Sequence, residues 1–221
     1  MSKIDTKKMQ QRTLSYLGDR NQEGAFALSG EIEECLAELE KEAHFLGCYE
    51  RYELSFDEQG FAMIPALDLT FPSQDLKRLL SSCSGVVVLS TTLGVSYERY
   101  ARRVMNSNMS HGVVLDAAAS AYLEGMTDVF EEELKLGPHT FRFAPGYGDL
   151  DLSFGVTLMK AIRADKRIGI TPTSSGLFLP QKSMLGLIGV GMQGQAENGC
   201  KICQRADSCS LRRRGTCCVS D

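Results

Sequence analysis

Between Arg142 and Asp149 the chain places a guanidinium, a Pro-Gly bend, an aromatic ring and a carboxylate side by side, in the run RFAPGYGD. Proline fixes its own φ. Glycine takes up backbone angles that other residues avoid. A segment of this kind can hold exposed backbone groups, a cation and a ring face against one small ligand. On local composition alone, a strand running into an ordinary turn satisfies the same pattern.

A second group of reactive residues lies at the C-terminal end. Cys200, Cys203, Cys209, Cys217 and Cys218 crowd together beyond residue 199, whereas Cys35, Cys48 and Cys83 are scattered through the body. CKIC is a CxxC pair, and thiolates at that spacing suit zinc or an iron–sulfur cluster. Cys200, Cys203, Cys209 and Cys217 are the candidate metal ligands. Arg212, Arg213 and Arg214 lie among them, where they would lower nearby thiol pKa values or dock on an acidic partner. A redox-active dithiol and an inert tail stand beside the metal reading.

Other chemistries lack their signatures. There is no GxGxxG after a strand and no P-loop lysine motif, and no phosphate-binding helix follows GVGMQGQ at 189–195. His44, His111 and His139 lie far apart without ligand spacing, and read as surface or capping residues. No serine or cysteine sits in a recognisable nucleophile context.

Elements must position these residues. Apolar spacing predicts helices over 6–18 and 31–46, the latter with Ile32, Cys35, Leu36, Leu39 and Ala43 on one face. Tyr52, Leu54 and Phe56 alternate with polar residues ahead of DEQG, which predicts a hairpin over 49–64. Residues 68–72 read as a loop, and Ser73 as the cap of a short helix. GVVVLSTTLG reads as a buried strand, followed by helices over 96–106 and 112–136. In the long helix Asp116, Ser120, Glu124 and Asp128 recur every fourth residue and form a polar stripe, and Gly137-Pro138 stops it. A strand through Phe141 and Phe143 leads into RFAPGYGD, a helix over 152–164 follows, and 176–191 reads as two strands around Pro180. The expected fold class is α+β: a twisted, largely antiparallel sheet with helices mainly on one side. Residues 1–192 form the domain, with helices over 1–47 and the α+β core over 48–192, and 193–221 is a Cys-rich C-terminal tail.

The chain has 221 residues, 43% of them hydrophobic and 24% charged, with a net charge of −4. Those proportions belong to a globular protein, and the charge gives no reason to expect nucleic acid. The charged N-terminus and the lack of a long apolar run give the expectation of a cytoplasmic protein without a membrane partner.

RFAPGYGD, VLDAAASAYLEG (114–125) and GITPTSSGLFLPQKSMLGLIGVG (169–191) together resemble the activation domain of cobalamin-dependent methionine synthase, in its short free-standing form. The resemblance covers residues 80–192 best. It implies binding of S-adenosylmethionine and support for the reductive methylation of cob(II)alamin carried by a partner. The partner would be the cobalamin-binding domain of methionine synthase or another corrinoid protein. A flavodoxin-like or ferredoxin-like protein would supply the electron. It further implies ligand contacts from Arg142, Ala144, Gly146 and Tyr147, and from Glu124 on the preceding helix, where Ser120 competes for the role. It assigns no general acid or base. The chain departs from the fused domain where Leu187-Ile188-Gly189 replaces a tyrosine-bearing strand. An N-terminal aspartate contact also has no counterpart. Two further readings stand beside this one: a reactivation or electron-delivery accessory of another corrinoid methyltransferase, and a metal-binding interaction protein that has lost ligand binding.

Overall fold

A computed structural model describes residues 5–18 and 25–192, so the tail cysteines lie outside the described residues. In chain order the elements are α1 (Thr6–Tyr16), α2 (Ala25–Glu42), β1 (Leu46–Glu53), β2 (Ser55–Phe56), β3 (Ala62–Ile64), β4 (Leu69–Thr70) and α3 (Gln74–Leu80). There follow β5 (Gly85–Thr92), α4 (Gly94–Ser107), α5 (Met109–Glu133), α6 (Phe154–Ala161), α7 (Ala164–Arg167), β6 (Thr171–Pro172), β7 (Phe178–Leu179) and β8 (Ser183–Val190). Strands β1, β5 and β8 form one sheet with β5 in the middle. Its apolar run VVVL and the small residues after it are buried at every position, as a continuous run between two neighbours should be.

The chain divides into two compact units. The first comprises Ser90–Lys135, Ala164–Met184 and the described residues up to Cys48. Its core is helical: Met9 and Leu14 of α1, Ile32 and Leu39 of α2, and Leu115 and Leu123 of α5 pack together. Asp5 caps α1 by accepting from the N–H groups of Lys7 and Lys8, and Asn108 caps α5 by accepting from His111. Small residues on α5 (Ala117, Ala118, Ala121) let its neighbours approach closely. Thr127 of α5 meets Thr91 of β5 at 2.8 Å between hydroxyls and donates to the Leu123 carbonyl, which leaves no unpaired oxygen in that buried spot.

The second unit comprises Tyr49–Leu89, Leu136–Arg163 and the described residues from Leu185 onward. It holds the small antiparallel sheet β2-β3-β4, in register at Ser55↔Met63 and Ile64↔Leu69. Asp57 closes the β2–β3 turn by accepting from Gln59 and Phe61, so DEQG is a turn as its residue types predict. Phe71 is wholly buried against Phe154 at 5.3 Å between ring centroids. Ser73 caps α3, accepting from the Leu76 N–H, as expected.

The fold is thus mixed α/β, with antiparallel pairing and helices packed against the strands. Four local expectations change. Helix α2 begins earlier than the apolar spacing indicates, at Ala25. The loop at 68–72 contains β4, which pairs with β3. The helix over 152–164 ends at Ala161, and Arg163 takes φ +55 before α7. The strand through Phe141 and Phe143 is reduced to isolated bridges, His139↔Val190 and Phe143↔Leu187. Between them the Thr140 hydroxyl, not a carbonyl, receives the Gly189 N–H, and this interrupts the ladder.

Candidate functional site

The Arg142–Asp149 segment is built in the second unit, on the flank of β8. Phe143 exchanges both backbone hydrogen bonds with Leu187, at 2.9 and 2.8 Å. That bridge fixes where the segment leaves the strand. The chain then folds back twice. Tyr147 N–H donates to the Ala144 carbonyl across a turn with Pro145 and Gly146 at its centre, and Gly146 has φ +90. Proline followed by a positive-φ glycine is the signature of a type II turn. A second turn runs from Tyr147 to Leu150, and the Gly146 N–H returns to the Leu150 carbonyl at 2.8 Å. Leu150 is buried and anchors the far end.

These two turns decide which backbone groups face outward. The Ala144 carbonyl and the Gly146 N–H are consumed within them. The Ala144 N–H and the Gly146 carbonyl have no partner among the described residues. A donor and an acceptor two residues apart suit the edge of a heteroaromatic ring. Tyr147 is 57% exposed, and its ring stands edge-on to Phe143 at 6.0 Å and 74°. The contact steadies the ring while the residue stays open to solvent.

Arg142 is positioned by a glycine across the bridge. A Cβ at Gly186 of β8 would overlap the Arg142 Cγ and come within 2.8 Å of its Cδ. The arginine stem therefore lies flat on the strand backbone, in the space that a side chain would fill.

Asp149 has a role that residue types alone do not reveal. Its carboxylate accepts from the Ser73 hydroxyl at 2.5 Å, the Gln74 N–H at 2.7 Å and the Asp75 N–H at 3.3 Å. The loop is thereby tied to the start of α3, where unpaired N–H groups favour an anion. Burial pushes the Asp149 carboxyl up, but these hydrogen bonds outweigh it and hold the pKa below the usual carboxylate value. Gly148 makes the approach possible: it has φ +54, and a Cβ there would collide with the Asp75 carboxylate.

Asp149→Ala is expected to cost about 1 kcal/mol, the scale of a lost helix-terminal carboxylate. The pH dependence has a definite sign. A group whose folded pKa is depressed stabilises above its unfolded pKa, and that contribution is lost as pH falls through the folded value. Urea melts of wild type and Asp149→Asn should therefore differ at neutral pH and converge in acid.

Glu124 belongs to the first unit, as do the other residues of the polar stripe on α5. Each finds partners there. Lys182 reaches Asp116 at 2.9 Å and the Ser120 hydroxyl at 2.8 Å. Arg12 of α1 reaches Asp128 at 2.7 Å and Glu124 at 3.7 Å, and the Tyr16 hydroxyl donates to Glu124. The stripe is real, and its visible work is to seat α1 and the β7–β8 connection on α5. Helical period shows that these acids share a face; it does not show which cations arrive. The candidate ligands Cys200, Cys203, Cys209 and Cys217 lie outside the described residues.

No protein-family model matches this chain, and no curated protein matches it. Among solved structures the chain is similar to the MetH reactivation domain bound to AdoHcy, with a TM-score of 0.62 over 87% of this chain and 73% of that one. Sequence identity is 15%, so the likeness rests on backbone arrangement, and what it establishes is that this chain has the fold of a methionine synthase reactivation domain.

Proposed function

We propose that this chain binds S-adenosylmethionine and supports the reductive methylation of cob(II)alamin on a partner methionine synthase. The observation that carries the reading is the loop Arg142–Tyr147, on a fold shared with a reactivation domain bound to AdoHcy. The ligand would supply an electrophilic methyl group to the partner's cobalamin after its one-electron reduction, with the S–CH3 bond broken and AdoHcy released.

This chain's part is binding and orientation. Arg142 pairs with the ligand carboxylate through two parallel N–H groups. The Ala144 N–H and the Gly146 carbonyl hydrogen-bond the adenine edge. Tyr147 offers its exposed ring to the adenine or to the sulfonium cation. Glu124 is a further contact, for the ligand ammonium. Because Arg12 and Tyr16 already engage that carboxylate, Glu124→Gln is expected to weaken binding less than Arg142→Ala does. No residue is assigned a proton transfer.

The partner in this reading is the cobalamin-binding domain of a methionine synthase without its own reactivation domain, and a flavodoxin-like or ferredoxin-like protein delivers the electron. Residues 1–192 form the working module, with the cysteines beyond 199 as an accessory zinc or iron–sulfur site. The test mixes the chain with such a synthase holding cob(II)alamin, a chemical reductant and S-adenosylmethionine, and follows the visible spectrum. Methylcobalamin should form only when both chain and ligand are present. A rate that does not depend on the chain would refute the proposal.

A further inference from the structure

The helical layer of the first unit holds a second constellation, apart from the loop. Glu31, Cys35 and Glu38 follow one another on α2 at spacings of four and three residues, so they share one face. His111 enters from the first turn of α5, where Asn108 fixes its backbone by accepting its N–H at 3.2 Å. The imidazole lies between these groups. Its Nε2 is 3.2 Å from a Glu38 oxygen and 3.9 Å from the Cys35 Sγ, and its Nδ1 is 3.2 Å from Glu31. One ligand atom from each of Cys35, Glu38 and His111 falls within 4.8 Å of the other two.

We propose that Cys35, Glu38 and His111 form a zinc-type divalent metal site that clamps α2 to the start of α5, with Glu31 orienting the histidine. The distances carry the proposal. Tetrahedral zinc with its ordinary bond lengths has ligand edges of about 3.3 Å between nitrogen and oxygen and about 3.6 Å between nitrogen and sulfur. The two edges at His111 Nε2 are 3.2 and 3.9 Å and the third, between Cys35 and Glu38, is within 4.8 Å, so an ion would be gripped as the cysteine side closes.

Both ring nitrogens of His111 face carboxylates. Without a metal, a protonated imidazolium donates to both. With one, Glu31 keeps the Nδ1–H and Nε2 becomes the ligand, the ion taking the place of its proton. A carboxylate on the far nitrogen of a metal-bound histidine is the usual supporting contact.

The donor set selects the metal. A thiol, an imidazole and one carboxylate suit zinc, and cobalt(II) as its spectroscopic substitute, whereas magnesium and calcium take oxygen ligands. Cys35 itself is fully buried within the core built from α1, α2 and α5, so the ion would tie those helices together rather than sit on the surface. This inference is independent of S-adenosylmethionine binding.

The tail cysteines would also take up metal, so the test uses the full chain with Cys200, Cys203, Cys209, Cys217 and Cys218 all changed to serine. Under reducing, anaerobic conditions this protein should retain one zinc per chain after desalting. With cobalt(II) it should show tetrahedral d–d bands and a single thiolate charge-transfer band. Cys35→Ser should abolish the charge transfer, and His111→Asn the retained metal. Glu31→Gln should weaken affinity about 10- to 100-fold. Circular dichroism of each metal-free variant checks that the helices persist. A chain that folds but retains no zinc and gives no cobalt spectrum overturns the site. So does a charge-transfer band that survives Cys35→Ser.

Discussion

Arg142→Ala is expected to weaken S-adenosylmethionine binding about 100-fold while leaving the protein folded. A charge-assisted, bidentate hydrogen bond is worth about 1.5–3 kcal/mol, and each 1.4 kcal/mol is a factor of ten in affinity. Arg142 is only partly buried, and its stem covers a strand rather than filling the core, so its removal leaves no large cavity. Arg142→Lys keeps the charge and loses the fork, and should fall between the two, about tenfold below wild type. Calorimetry on the three proteins measures this directly. If Arg142 binds the carboxylate, the loss should be equal for S-adenosylmethionine and AdoHcy, which share that group. A loss confined to the sulfonium compound would place the arginine's influence elsewhere.

The second large effect is expected at a residue that would touch no ligand. Gly186→Val should weaken binding about 10- to 100-fold, although it leaves the arginine in place. The added side chain would occupy the ground on which the Arg142 stem lies, overlapping its Cγ and crowding its Cδ. The guanidinium must then move, and displacing a ligand-positioning group by an ångström costs affinity and rate. A double-mutant cycle separates this from general damage. If Gly186 acts through Arg142, the change to valine should cost almost nothing further once Arg142 is alanine. Additive losses would show that the substitution harms the strand itself.

What the residues alone disclose, and what they hide, follows from the range of the interactions. The buried strand β5 is legible because an apolar run of that length has few other fates. Ser73 as a cap, DEQG as a turn and the Pro145-Gly146 bend are legible because each is decided by neighbours in sequence. The Asp149 tie to α3 spans about 75 positions, and the seat of Arg142 on Gly186 depends on a strand bridge. Neither has a local signature. The same holds for His111, which has no ligand spacing of its own and meets Cys35 and Glu38 only when α2 packs on α5. The polar stripe on α5 was visible as a stripe, but its pairing with Arg12, Tyr16 and Lys182 comes from elements far away in the chain.

The loop also explains how a segment rich in glycine can be a rigid platform. Two turns, one strand bridge and three hydrogen bonds through Asp149 hold it at both ends. A small ligand bound there, as proposed, would meet groups already in place, with the entropic cost of ordering them met in folding.

Calorimetric titration of the wild-type chain with S-adenosylmethionine tests the central claim most directly. Saturable binding of one ligand per chain, complete below about 1 mM and severely weakened by Arg142→Ala, is the predicted result. An absence of heat and of thermal shift at millimolar ligand, from protein that melts cooperatively, would contradict it.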